Sequence, residues 1–372
     1  MPDDNPFVSH EFLSGLEQHG CLRTDYGWQA HHLGLYEHRH LVAAVPLYLK
    51  YNSHGEYVFD WSWASAYERA GLDYYPKLLA AVPYSPVTGA RLLVGKDEGS
   101  ASLRTTLAQT LAATTKGAGL SSAHVNFVTE SDAEALAAAG WISRFDWQFQ
   151  WANSPANTGR WNNFDEFLGD LTHKKRKNIR QERAQVERAG VTCEVRHGDE
   201  ISATEWRTIH DLYLNTFAER GNHPALTLKF FRHLGTTLPR QVLAILCRRG
   251  SEIIAMALLL RSSTTLYGRY WGCRENVPGL HFEACYYQGI QYCLEHNLTR
   301  FEPGAQGEHK LARGFLPTRT RSFHFIADVR FRTAIGDALR REARLLESHG
   351  AELMAHSPYS TSAVEKDASC TG

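Results

Sequence analysis

The chain has 372 residues, with 40 basic and 40 acidic side chains, 43% apolar and 22% charged. That length exceeds what one ordinary core supports and argues for two domains, and the ordinary composition excludes long disordered stretches. The charge balance excludes a strongly basic binder of nucleic acid, so no DNA partner is expected.

Seven scattered cysteines (Cys21, Cys193, Cys247, Cys273, Cys285, Cys293, Cys370) form no C-x-x-C pair. They fit reduced thiols better than a disulfide framework or a zinc ribbon. The N-terminus has no basic and apolar leader, and the longest apolar run, Ile253–Leu260, falls short of the roughly 20 residues that span a bilayer. The expectation is a cytoplasmic protein with no integral membrane segment.

In chain order, residues 31–53 suggest a hairpin whose second strand is closed by Pro46 or continues a little past it. Tyr75–Val82 and Ser102–Thr115 carry apolar residues at helical spacing, Ala123–Val128 and Phe145–Trp151 read as strands, and Ser131–Ala139 as a helix between them. The polar stretch ANSPANTGRWNN, residues 152–163, reads as a linker. Helices follow at Phe164–Leu171, Lys174–Ala189, Trp206–Arg220 and Thr227–Leu234, the second ending at the capping Gly190. Strands at Gln241–Arg248, Glu252–Arg261 and Thr264–Gly272 form a meander. A helix over 280–297, short strands at Thr299–Glu302 and Ser322–Ala327, and a long helix over Asp328–His356 complete the reading.

The expected domains are therefore 1–155 and 160–330, followed by a C-terminal helix, 328–357, and a disordered tail, 358–372. The fold class is mixed α/β of the α+β kind. In the second half the order of helix, helix, three antiparallel strands, helix and strand is that of a GNAT acyltransferase domain, and the first half is compatible with a second, degenerate copy.

Several segments carry candidate chemistry. Residues 58–93 interleave Trp61 and Tyr67 with Lys77 and Arg91. Core packing accounts for part of these aromatics, and the rest would line a cleft wider than an acetyl group needs. Residues 172–191 hold Lys174, Arg176 and Arg180 among six basic side chains within ten residues, either a solvated helix or a landing site for phosphates. On that helix Lys174 and Lys177 share one face and Arg176, Arg180 and Arg183 another.

Arg269 and Trp271 end a strand ahead of a helix start that suits an anion. The Q-x-x-G-x-G/A loop of ordinary acetyl-CoA sites is absent, and Tyr286, Tyr287 and Tyr292 read as core. His31, His32, His38 and His40 lack any H-E-x-x-H context, so no metal is expected. Finally, EPGAQGEHKLARGF, residues 302–315, gathers Glu302, Gln306, Glu308, His309, Lys310 and Arg313 around three glycines.

KKRKNIRQERAQVERAGV and CYYQGIQYCLEHNLTRFEPGAQGEHKLARGF resemble segments of the Fem-type aminoacyltransferases of peptidoglycan cross-bridge assembly. Through PLYLK, EYVFDWSWASAYERAGLDYYPKL, PYSPVTGARLL, LYGRYWG, HFEACYYQ and GAQGEHKLARGF, the chain from about residue 8 to 358 is similar to the FemAB-like family of peptidoglycan biosynthesis/recognition proteins. The resemblance implies two GNAT-like domains in tandem, with donor and acceptor meeting between them. It also implies acyl-CoA or aminoacyl-tRNA as co-substrate, no tightly bound cofactor, and an amine acceptor on a peptidoglycan precursor or small metabolite. His281 and Glu283 lie in its HFEACYYQ segment and are expected, with Gln306, among the substrate contacts. Where Fem enzymes carry the lysine of an F-K-x-G-F motif, this chain has Ala312, with Lys310 two positions earlier and Arg313 one later.

Acyl transfer to an amine needs a proton acceptor and a polarised carbonyl. Glu302, Glu308 and His309 are the candidate acceptors, and Lys310 and Arg313 the candidate charge stabilisers. The competing expectation is a non-catalytic protein of the same double fold that binds peptidoglycan or a sugar nucleotide.

Overall fold

The computed structural model describes residues 4–95, 99–153, 159–219, 221, 223–305 and 307–360. Its strands are β1 (Trp28–Ala30), β2 (Leu33–Glu37), β3 (His40–Val45), β4 (Leu47–Lys50), β5 (Lys77–Ala80), β6 (Leu93–Val94), β7 (Ser122–Val125), β8 (Ile142–Ala152), β9 (Val191–His197), β10 (Val242–Arg249), β11 (Glu252–Arg261), β12 (Thr265–Cys273), β13 (Arg300–Glu302) and β14 (Leu316–Ile326). The described chain forms two compact units. One takes residues up to Ser9, Leu16–Trp147 and Arg319–His349, and the other takes His10–Gly15, Gln148–Thr318 and residues from Gly350 onward. Contiguous domains split near 155 were expected, whereas the chain returns to its first unit at Arg319.

In the first unit the strand order β1-β4-β5-β7-β14 is antiparallel except where β5 lies parallel to β7. A second sheet, β2-β3-β6, begins with a hairpin turned by His38 and Arg39, both at positive φ. Pro46 separates β3 from β4, which pairs in the other sheet. Helices Ser100–Gly117 and Glu130–Ala138 contribute Leu107, Leu111 and Leu136 to a core shared with Leu78, Val125 and Phe323. Each such side chain, fully buried, contributes about 1.5–3 kcal/mol.

The helix expected over Tyr75–Val82 is instead the strand β5. All four of its residues are buried, and a continuous apolar run with a parallel neighbour reads the same as a buried helix by periodicity alone.

In the second unit the order is β8-β13-β12-β11-β10-β9, with the predicted meander at β10, β11 and β12. β12 and β13 are parallel, and their crossover contains a helical turn at Leu280–Phe282, a π-helical turn at Glu283–Tyr287 and a helix at Gln288–Glu295. The edge strand β9 was not expected, although VTCEVRH alternates apolar Val191, Cys193 and Val195 with polar Thr192, Glu194 and Arg196. Phe12 packs edge-on against Phe230 at 5.4 Å, which ties His10–Gly15 to this unit.

The linker and the tail are corrected where they are described. Trp161 is buried, donates its ring N–H to Asp170 at 2.7 Å, and stacks on Tyr359 with centroids 5.9 Å apart. Tyr359 bridges Leu171 and donates its hydroxyl to the Gly314 carbonyl at 2.7 Å. Residues 358–360 are therefore docked, while 361–372 lie outside the described residues.

Candidate functional site

Two interruptions of regular structure in the second unit build the site. Between Leu258↔Tyr270 and Leu259↔Gly268 the β11/β12 register skips Arg269, which becomes the extra residue of a bulge. Bulges re-aim side chains in this way. The β12/β13 ladder ends at Tyr267↔Glu302, and the chain leaves it through Pro303. Gly307 at φ +117° and Gly314 at φ +94° occupy left-handed conformations that strain other residues. Between them Glu308–Arg313 winds as a 3-10 turn. Side chains three apart eclipse on such a turn, so Lys310 and Arg313 are both buried while Glu308 and His309 remain exposed.

Lys310 is 3% exposed, and its ammonium donates to the carbonyls of Gly304 at 2.9 Å and Ala305 at 2.6 Å. Burial, reinforced by the Arg269 guanidinium, lowers its pKa to about 7. Arg269 donates to the Gly268 carbonyl at 2.7 Å and to the Glu302 carbonyl at 3.2 Å, with the buried Glu302 carboxylate 3.9 Å away. His309 Nε2 lies 2.9 Å from the Tyr286 hydroxyl. Burial, then Arg313 and Lys310, lower the imidazole pKa below its ordinary value, which favours a neutral ring at pH 7.

Arg313 is an anchor. It donates to Glu182 at 2.6 Å, to the Tyr287 hydroxyl at 3.1 Å and to the His309 carbonyl at 2.8 Å, and its guanidinium lies 3.3 Å from the Phe282 ring centroid. Tyr287 also donates to Glu182. Glu283, buried in the π-turn, accepts both arms of Arg183 at 3.1 Å and the Gln288 amide at 2.7 Å. Trp271 meets the His281 ring edge-on at 5.4 Å, and His281 meets Tyr286 at 5.5 Å.

Glu302, Glu308, His309, Lys310, Arg269, Trp271, His281, Glu283 and Arg313 thus gather within one unit around the end of the β12/β13 ladder; Gln306 lies outside the described residues. Arg313 ties the 3-10 turn to Glu182 and Tyr287, and Glu283 ties the π-turn to Arg183.

The helix His173–Arg188 carries a groove of about 470 Å³ lined by His173, Arg176, Lys177, Arg180 and Arg188. Arg176 and Lys177 were expected on different faces, yet both line the groove. Arg176 also donates to the carbonyls of Gly169 at 3.3 Å and Leu171 at 3.2 Å, while Lys174 is exposed outside the groove.

The remaining four candidates belong to the first unit, and three of them are interior. Lys77 is 0% exposed and donates to Glu56 at 2.8 Å, to Ser53 at 3.2 Å and to Asp60. Arg91 is buried and donates to the Val87 carbonyl at 2.6 Å. Tyr67 stacks on Phe331 at 3.9 Å. These three are corrected from ligand contacts to framework, because their polar ends are turned into the protein. Trp61 alone is 50% exposed, beside Phe59 at 4.9 Å.

Tyr286 lies in the buried core, as expected, with its hydroxyl reaching His309, whereas sequence reasoning missed the Glu182 and Arg183 anchors. Their signal, two adjacent opposite charges in a helix rich in both signs, looks like surface balance until the tertiary partners are known. Among the described residues no three His, Cys, Asp or Glu side chains are grouped to hold a metal ion, and no helix is long and apolar enough to cross a membrane.

The parallel β12/β13 pair, opening at a bulge beside a helical crossover, lies in a mixed α/β protein with a long C-terminal helix, Val329–Ala355. The chain matches the FemAB-like family, described as peptidoglycan biosynthesis/recognition, over residues 1–361, and belongs to that family. The crystal structure of FemX is similar in fold, at 11% identity and a TM-score of 0.52, covering 90% of this chain and 95% of that one. L-PGS from Bacillus licheniformis is similar at 11% identity and a TM-score of 0.52, covering 89% of this chain and 96% of that one. A search of curated proteins finds no match.

Proposed function

We propose that the chain is an N-acyltransferase that moves an acyl or aminoacyl group from an activated donor, aminoacyl-tRNA or acyl-CoA, to an amine on a peptidoglycan precursor or small metabolite. The observation that carries this reading is the buried Lys310 side chain, held by the Gly304 and Ala305 carbonyls, next to His309, whose ring meets the Tyr286 hydroxyl, beyond the end of the β12/β13 ladder. His309 takes the proton of the attacking amine and passes it to the departing tRNA hydroxyl or coenzyme A thiol as its bond to the acyl carbon breaks. With Nε2–H donating to the Tyr286 oxygen, Nδ1 is the accepting atom. Lys310 and Arg269 supply positive charge where the carbonyl oxygen becomes an oxyanion, and Arg313 and Glu283 position the 3-10 turn and the π-turn. The basic groove on His173–Arg188 suits the phosphates that both donor classes carry.

The deciding experiment offers the purified protein a panel of acyl-CoAs and charged tRNAs with amine acceptors, and follows donor loss with and without ribonuclease. Tight acceptor binding without any donor loss would replace the transferase reading with the binding one.

Two variants dissect the site. His309→Gln is expected to lower turnover by about 10²-fold, the range for a lost general base, with little change in donor KM. An unchanged rate would remove His309 from the proton path. Arg176→Ala with Arg180→Ala is expected to raise the donor KM and flatten its dependence on salt while leaving turnover at saturation intact. A KM equal to that of the parent at every salt concentration would count against the groove.

A further inference from the structure

Cys193 on β9 and Cys247 on β10 are direct partners in antiparallel register, with their sulfurs 3.3 Å apart. Opposed residues in such a ladder have Cα atoms about 4.5–5.5 Å apart, inside the roughly 4.4–6.8 Å that a disulfide spans. Side-chain rotation is therefore enough to bring the sulfurs to bonding distance. The two thiols also differ in access: Cys247 is buried, whereas Cys193 is half-buried on the strand at the sheet edge.

We propose that Cys193 and Cys247 are a reversible dithiol that a hydroperoxide oxidises to a disulfide. The Cys193 thiolate attacks the peroxide, the O–O bond breaks, and a sulfenic acid forms as water or an alcohol leaves. The Cys247 sulfur then attacks the Cys193 sulfur, the S–O bond breaks, and the thiol proton departs with the hydroxide as water. Two electrons pass from the thiols to the peroxide, and a dithiol reductant returns them by exchange.

The order of steps follows from the surroundings. The hydrogen bond it shares with Cys193, and then burial, raise the Cys247 pKa and keep that thiol protonated, so the more exposed Cys193 meets the oxidant first. Cys285, in the π-turn, interacts electrostatically with both thiols and with Lys310. Burial raises its pKa, which makes it a poor first nucleophile.

The test uses the full chain, reduced, desalted and exposed to equimolar hydrogen peroxide, then alkylated and mapped by mass spectrometry without reduction. Most chains are expected to yield a peptide linking 193 to 247, lighter by two hydrogens than its reduced parts and separated again by dithiothreitol. Cys193→Ser should abolish the link and Cys273→Ser should leave it intact, with circular dichroism verifying that both variants fold. Alkylation of both thiols in the treated parent, a stable sulfinic acid at Cys193, or a link from Cys193 to another cysteine or another chain would each overturn the proposal. None of these readouts depends on transferase activity.

Discussion

Lys310→Met is expected to lower turnover by about 10²–10³-fold, the loss that follows removal of one donor to a developing oxyanion. The Gly304 and Ala305 carbonyls lose their donor as well, so stability should fall by about 1–3 kcal/mol. Donor consumption should therefore be measured under conditions where circular dichroism shows the variant folded. Parental turnover in the folded variant would exclude Lys310 from the chemistry.

The pH dependence separates Lys310 from His309. With its pKa lowered to about 7, Lys310 is an ammonium below that pH and a neutral amine above it, so a step that needs the cation weakens as pH rises through about 7. His309, with its pKa lowered by burial and two cations, stays neutral further into acid than an ordinary histidine. The parent should show a bell with its alkaline limb near pH 7 and its acid limb below the usual histidine range. Lys310→Met should lose the alkaline limb and His309→Gln the acid limb. Identical profiles in parent and variants would assign both limbs to other groups.

Lys77→Met is expected to destabilise the protein by about 3–5 kcal/mol, the cost of removing one partner from a buried ion pair. Lys77 is wholly buried between Glu56 and Asp60, and Asp60 also accepts the Tyr74 hydroxyl at 2.6 Å. Burial alone would lower the lysine pKa, but the two carboxylates more than offset this and hold it charged. Without it Asp60 and Glu56 are left in the interior with Lys50, 4.0 Å from Glu56, as the remaining ammonium. Denaturant titration should show a lower midpoint with an unchanged slope, and adding Asp60→Asn should recover part of the loss. A Lys77→Met midpoint equal to that of the parent would mean the network contributes nothing to stability.

The meander and the long closing helix were legible because β11 and Val329–Ala355 carry strong local patterns bounded by turn residues. The strand β5 was not, since KLLA between Pro76 and a second apolar run fits either period. Lys77 and Arg91 looked like ligand contacts for a related reason. A charge between aromatics reads alike whether it faces solvent or a buried carboxylate 21 residues away in sequence, as Glu56 is from Lys77. The charged turn Glu308–Arg313 was legible as a cluster, but which of its members point inward depends on its 3-10 winding, set by flanking glycines that permit many paths.

The pairing of β7 with β14 has a consequence for how the protein is made. His124 and His324 are register partners separated by 200 residues, and their Nδ1 atoms lie 2.6 Å apart. While a ribosome is still making the second unit, the β7 edge of the first remains open, with backbone groups and apolar side chains uncovered. Closure of that sheet must wait for Phe323–Ile326 to emerge, and long-range pairing of this kind is slow and prone to aggregation while it waits. A fragment ending near residue 155 would keep that edge permanently open, so the first unit matures only after nearly all of the second has been synthesised.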